Sequence, residues 1–530
     1  MMRKLIVLFL LTLLTTAVFA GGTQDGGSSS GTDAAQPLSV NSMPIVDPPG
    51  SYTLSIAMQD TGFQGTSYND NMAVHQRLQE VTGINLDWQV SPGGQWAQTV
   101  RIRLASGQDL PDLVRVPGTP GDAIRYADDG LILPLKDMIN SYAPNIVKMF
   151  EEYPALKKGH IAPDGEIYFM ANYITGLPNG LGVTIRMDWL DKLGLDMPET
   201  IDEWYTALKA FKENDLNGEG AGNIIPYGGH LDYFLSGFGM TSSRNQRYWY
   251  DGSGNVYFFA MHPRFKEYLT FLNKLYSEGL LDPMYGAGQS TIGQLRDQNR
   301  VAVATGWPGS QDVFDMRLLN LDVPDVNWIY ALPPKDENGN HTLQVLNTCR
   351  NTSRWGITKD AKDESVVMRF LDYTYAAQDG VRLLHMGFEG EQWELVDGVA
   401  KFKDTMFNDP KYNYVAQLRL VGAFTAYMDS QSLEFNLARY QGKFVSGLRD
   451  IEAAAVAASY PVVTPTIDEQ EKVINLSEDI TSTIDEMTVL FVTGKEPLEN
   501  FDKFINTLKG MGIEELQELY SQQYKRFLQG

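Results

Sequence analysis

The chain has 530 residues, 43% hydrophobic and 21% charged, which is long enough for more than one domain and too apolar to be disordered throughout. Sixty-six Asp and Glu against 43 Lys and Arg give a formal net charge of −23, a surface that repels nucleic-acid phosphates and anionic lipid and excludes a nucleic-acid partner. A single cysteine, Cys349, rules out an internal disulfide or a cysteine metal cluster, and six scattered histidines form no HExxH pair.

In chain order, Arg3 and Lys4 precede an uncharged apolar run at 5–19, and Val18 and Ala20 put small residues before a cleavage point. Residues 1–20 thus follow the pattern of a signal peptide cleaved after Ala20. Residues 21–50 are rich in Gly, Ser, Thr and Pro and read as a flexible linker. Residues 53–59 alternate as a strand does, 70–82 carry a helical stripe, and 84–90 alternate again. A helix at 95–106 and a short buried strand at 112–116 follow. This order predicts a parallel α/β sheet, whose ligands gather outside the carboxyl ends of the strands. Gln59 and Asp60 stand at such an end and are candidate ligand contacts. Residues 182–187 form a further strand. The next helix begins at Thr200 and Glu203, spaced as a capping box. Helices are also predicted at 263–278, 289–298, 362–377 and through 466–528. Strand–helix patterns occur both before 120 and after 225, so the chain crosses between lobes more than once.

Six blocks carry a family resemblance: DLPDLVRV (109–116), YADDGLILPLKDMI (126–139), DGEIYFMANY (164–173), the stretch beginning RMDWLDKLGLDMPETIDEWY at 186, RVAVATGWPG (300–309) and DYTYAAQDGVRLLHMGFEGEQWEL (372–395). Together they resemble the extracellular solute-binding proteins of family 1, in the large lipoprotein-like branch that includes alginate-oligosaccharide binders. The resemblance covers most of 50–528. It implies a two-lobed α/β periplasmic-binding-protein fold (type II-like), each lobe a mixed sheet flanked by helices, with a hinge and a helical C-terminal region. Residues 51–173 would begin the N-terminal lobe, 174–345 would form most of the C-terminal lobe, and 346–530 would complete both. The implied function is an extracytoplasmic receptor, monomeric, that hands an oligosaccharide to the transmembrane subunits of an ABC permease. The usual lipobox cysteine is missing, which favours a free periplasmic or secreted protein over a lipid-anchored one.

Sugar rings present apolar C–H faces and hydroxyl rims, so aromatic platforms and planar polar side chains are the residues to look for. Trp307, in a Gly-flanked loop after the strand VAVATG, is the leading candidate, with Tyr173 at the end of DGEIYFMANY. Trp355 and Trp393 stand in polar contexts and join them. Trp88, Trp189 and Trp204 have apolar surroundings and read as core. Arg186 and Asp188 flank a strand end, where a lobe-internal salt bridge is the competing reading. His230 follows IIPYGG and could be a ligand contact or a structural histidine. Arg247 could recognise an acidic sugar but reads as solvated.

Residues 215–226 place Asp215, Asn217, Glu219, the Ala221 carbonyl and Asn223 at positions 1, 3, 5, 7 and 9 of an EF-hand-like loop, with Gly220 at the bend. Position 12 is Pro226, and the adjacent acids that usually end this loop in the resembled family are Asn223 and Ile224. Both a structural Ca²⁺ site and a turn that has lost its metal fit this pattern. The acid pairs Asp128/Asp129, Glu151/Glu152 and Glu389/Glu391 leave a secreted polysaccharide-degrading enzyme as an alternative, because a glycosidase needs two carboxyls across a cleft. A receptor for peptides or other solutes on the same scaffold is a third possibility. No GxSxG, Walker A or GxGxxG motif is present.

Overall fold

The alternating residues at 53–59 form the strand Tyr52–Gln59, whose Leu54, Ile56 and Met58 are fully buried. This computed structural model describes residues 36–529, apart from 38, 64, 244–246, 251–252, 287–290, 347, 408, 410, 426, 428–429, 440–442, 459–460 and 462. The predicted signal peptide at 1–20 and the first half of the predicted linker lie outside the described residues. Tyr52–Gln59 pairs in parallel with Ile84–Ser91 on one side and Leu113–Arg115 on the other. Between these strands run the helices Ala73–Thr82 and Trp96–Ser106, close to the predicted bounds. The first helix stops at Gly83, whose φ of 72° places it in the left-handed region. A Cβ there would come within 2.9 Å of Pro44, so the position demands glycine twice over.

A late segment, Cys349–Ile357, inserts antiparallel between Leu113–Arg115 and Met170–Tyr173 and completes a five-stranded mixed sheet. The second sheet is built on Gly182–Arg186, flanked by Val303–Gly306 and Trp328–Ala331, both antiparallel. It is mixed as well, because bridges from Ile225 to Val301 and from Gly228 to Ala304 run parallel. The predicted capping box is present: Thr200 accepts from the Glu203 N–H at the start of Ile201–Glu213, which buries Trp204, Leu208 and Phe211. The long C-terminal region is three helices, Ile467–Val492, Phe501–Gly510 and Ile513–Gln529, interrupted at Pro497 and Gly512.

Buried residues fall into two main clusters. One joins residues 45–173 to 349–438, and the other joins 183–331 to 480–516. The molecule is therefore two-lobed, and the chain crosses at 174–181, at 332–348 and again after 438. The crossings lie side by side. Ile174 bridges Gln431, the Leu346 N–H donates to the Asn179 carbonyl at 2.8 Å, and His341–Gln344 runs parallel to Ala455–Ala458.

The linker prediction needs correction at its second half. Ile45 and Val46 are fully buried in the first lobe, and the Arg369 guanidinium donates to the Ser42 and Ile45 carbonyls. Composition averaged over 21–50 concealed the short apolar run MPIV, which covers the end of the first helix.

Candidate functional site

Strand register fixes where the gap between the lobes opens. Four strands of the first sheet run the same way, so Gln59, Ser91, Arg115 and Tyr173 mark one edge, and Cys349 opposite Tyr173 marks it on the returning strand. In the second sheet Gly182 pairs with Gly306 and Val183 with Ala331. The end of that sheet entered from the first lobe is therefore also the end that carries Trp307. Both edges lie against the crossing segments, which is where a two-lobed receptor closes on its ligand.

Trp307 is 37% exposed, unusual for an indole beside a sheet. Its turn is fastened by two hydrogen bonds. The Trp307 N–H donates to Ser310 Oγ at 3.0 Å, and the Ser310 N–H donates to the Trp307 carbonyl at 2.8 Å. Gly309 lies so close to Phe444 that a Cβ would come within 2.5 Å of the ring. The indole is held out on a rigid support rather than on a loose loop.

Across the gap, Gln59 is half-buried and accepts from Arg115 Nη1 at 3.4 Å. The Arg115 guanidinium stands 4.9 Å from the centre of the Trp96 ring. Gln59, Arg115 and Trp96 thus form a polar–aromatic cluster on the first-lobe edge. Sequence reasoning missed Trp96 and Arg115. The signal was available, because Arg115 is the last residue of a parallel strand, as Gln59 is, and Trp96 opens the helix five residues after the strand Ile84–Ser91 ends. Asp60 turns away from this role: its carboxylate accepts from the Thr61 and Tyr68 N–H groups at 2.8 and 3.1 Å and from the Ser67 hydroxyl at 2.8 Å, holding its own loop.

Three aromatic candidates are corrected. Tyr173 is at the right edge but points into the first core, 1% exposed, with its hydroxyl donating to the Tyr375 carbonyl at 2.9 Å. Burial pushes its phenol far above the ordinary value. Trp355 is fully buried mid-strand, edge-on to Tyr427 at 4.9 Å. Trp393 is buried and donates its indole N–H to the Gly387 carbonyl at 3.2 Å. Trp88, Trp189 and Trp204 are buried as predicted.

Arg186 and Asp188 form the lobe-internal salt bridge at 2.7 Å, both buried, with the guanidinium 4.0 Å from the Trp189 ring centre. They do not reach the gap. His230 is half-buried, and its carbonyl accepts from the Tyr227 hydroxyl at 2.9 Å at the start of the tight turns Leu231–Phe238. Arg247 is not solvated as predicted: it is clamped to Asp485.

The loop at 215–223 has the bend and turns of a cation loop. Gly220 has φ of 102°, Asp215 Oδ1 accepts from the Gly218 N–H at 2.9 Å, and Asn217 Oδ1 accepts from the Glu219 N–H at 3.1 Å. Its far side is closed by protein contacts. Asn223 donates to Glu219, and Arg300 Nε donates to the Asn223 carbonyl at 3.2 Å. Among the described residues no group of three or more His, Cys, Asp or Glu is placed to hold a metal, so neutral oxygens must supply most of any coordination. The three acid pairs are all exposed.

The family model for bacterial extracellular solute-binding proteins matches residues 68–380, more than half of the chain. The chain belongs to this family. It is 34% identical over 223 residues to the fructooligosaccharide ABC transporter substrate-binding protein FusA of Streptococcus pneumoniae serotype 4, covering 39% of this chain and 41% of FusA. It is 28% identical over 353 residues to the lipoprotein LipO of Bacillus subtilis, covering 63% of this chain and 66% of LipO. These alignments span less than two thirds of either relative. The crystal structure of the alginate-binding protein AlgQ2 without calcium ion superposes with a TM-score of 0.72 at 26% identity, covering 90% of this chain and 98% of that one. An EF-hand mutant of FusA in complex with fructo-nystose superposes at 0.69, with 21% identity and coverage of 90% and 99%. Among the described residues no helix of this family member is long and apolar enough to cross a membrane.

Proposed function

We propose that this solute-binding protein is the extracytoplasmic substrate-binding component of an ABC importer and carries an oligosaccharide in the gap between its lobes. The observation that carries this reading is the exposed Trp307 on its fastened turn, facing an edge that offers Gln59, Arg115 and Trp96. An indole face suits the C–H face of a sugar ring, and the amide and guanidinium suit its hydroxyls. The relatives named for fructooligosaccharide and alginate binding support the ligand class. The protein holds its ligand without altering it and is exported through the signal peptide at 1–20, free of a lipid anchor. It acts as a monomer that docks on the permease.

Isothermal titration with fructo-oligosaccharides, malto-oligosaccharides and oligogalacturonates tests this reading. Binding of one class, weakened roughly tenfold or more by Trp307→Ala, is expected, as for loss of a central aromatic contact. Chromatography of the recovered sugar should show it intact; shortened products would establish the degrading enzyme instead. Binding only to peptides would overturn the carbohydrate reading.

We also propose that the loop at 215–223 takes Ca²⁺ through Asp215, Asn217, Glu219, the Ala221 carbonyl and Asn223. Only two formal charges oppose the ion, so the affinity falls near the weak end, about 10⁻⁴–10⁻³ M. Its role there is structural.

A further inference from the structure

A second recess lies inside the C-terminal lobe, away from Trp307. It has a volume of about 220 Å³ and is walled by Phe259, Phe265, Tyr268 and Tyr285 on one side and by the helix Ile467–Val492 on the other. Arg247 spans its polar end. The guanidinium holds Asp485 with two hydrogen bonds, at 2.5 and 2.9 Å, and has Asp232 at 3.8 Å on its other side. The three planar groups fix one another, so the recess carries a rigid polar rim facing aromatic rings.

Tyr268 is the decisive group. It is 1% exposed, lines the recess, and its hydroxyl has no hydrogen-bond partner among the described residues. A buried hydroxyl without a partner is costly, so a ligand that pairs with it gains from relieving that cost. Burial, with Asp232 and Tyr285 adding to it, pushes this phenol well above its ordinary value, so it remains a hydrogen-bond donor at physiological pH.

We propose that this recess binds a single uncharged sugar ring, taken in as one unit of the oligosaccharide or as a free monosaccharide. This rests in part on the oligosaccharide reading. Aromatic walls suit the C–H face of the ring, and Tyr268, Asp232 and the Arg247 clamp suit its hydroxyls. A uronate would set its carboxylate against Asp232 and Asp485, two negative groups with one guanidinium between them. A purely apolar ligand would leave Tyr268 unpaired. The volume lies below the roughly 300–1,000 Å³ of pockets that take drug-sized ligands, which limits the occupant to one ring. The strand that leads to Trp307 lies a few residues of chain away from the polar end of the recess. The Gly228 N–H donates to the Val303 carbonyl at 2.8 Å on the strand that leads to Trp307. Asp232 follows four residues later, within about 14 Å even if that segment were fully extended.

Saturation-transfer NMR on the full chain tests the proposal, with methyl α-D-glucopyranoside, methyl β-D-fructofuranoside and D-galacturonate as probes. Transfer to at least one neutral probe, exceeding that to galacturonate and falling roughly tenfold in Tyr268→Phe, is the expected result. Tyr268→Phe keeps the ring and deletes only the unpaired hydroxyl, so it folds; thermal melting confirms that. Undiminished transfer in Tyr268→Phe, no transfer to either neutral probe, or equal transfer to galacturonate would each overturn the proposal. The oligosaccharide titrations separate the two readings. A protein that binds oligosaccharides yet fails these arms loses only the recess. One that binds no oligosaccharide yet shows Tyr268-dependent transfer keeps the recess and loses the parent reading.

Discussion

The two lobes differ in the tryptophan each keeps at the gap edge: Trp96 of the first is half-buried against its core, and Trp307 of the second is exposed. In the first lobe, Trp88, Trp355 and Trp393 all belong to the core. In the second, Trp189 and Trp204 are equally buried, while Trp307 stands outside. Polar neighbours in sequence do not account for this, since Trp355 follows Ser353 and Arg354, themselves buried. What matters is position in the element. Trp355 is within the part of a central strand, 353–357, in which every residue is buried. Trp307 follows the last residue of Val303–Gly306 and is turned outward by the Trp307–Ser310 turn.

Substitution of the two tryptophans should separate stability from binding. Trp355→Ala is expected to cost about 3–5 kcal/mol of stability, as for other buried aromatic truncations. Trp307→Ala should change stability by less than about 1 kcal/mol and appear instead in ligand affinity. Denaturant unfolding followed by circular dichroism checks both; an equal loss at the two positions would erase the distinction. In the second lobe, Asp188→Ala leaves Arg186 buried without its carboxylate and should cost about 3–5 kcal/mol. The same measurement applies, and a loss below about 1 kcal/mol would mean the pair is dispensable.

The lobes should also differ in their response to acid. His75 and His160 are buried in the first lobe, and burial lowers each from 6.5 to about 4. Each is neutral when folded and takes up a proton more readily when unfolded. The stability they contribute is therefore full above about pH 6.5 and is lost as pH falls toward 4, by about 2 kcal/mol each at pH 5. Calorimetry at pH 7 and pH 5 should show a first-lobe transition moving to lower temperature more than the second. A His160→Gln variant should flatten that shift, and equal movement of both transitions would contradict it.

The smallest effect belongs to the calcium loop. Millimolar CaCl₂ should raise the melting temperature of the second lobe by a few degrees at most, following RT ln(1 + [L]/Kd). Asp215→Ala should abolish the rise, and a rise that survives it would place the ion elsewhere.

Local patterns were legible where neighbouring residues settle the outcome. Alternation gave the strands at 53–59 and 84–90, and the Thr200–Glu203 spacing gave a helix start, because each depends on residues a few positions apart. The sequence order also placed Gln59 at a strand end and Trp307 in a turn outside the core. Tyr173 was misjudged because its edge was legible but its rotation was not. The same strand position could have faced the gap, and only packing against Tyr375 turns the phenol inward. The unaided sequence determined secondary structure, fold family and the edge on which a ligand site should lie. Tertiary structure alone decided which side chains at that edge remain uncovered, and that Arg247 belongs between Asp232 and Asp485. Residues 238 positions apart, such as Arg247 and Asp485, leave no local pattern to read. They meet only because the long C-terminal helix folds back against the second lobe.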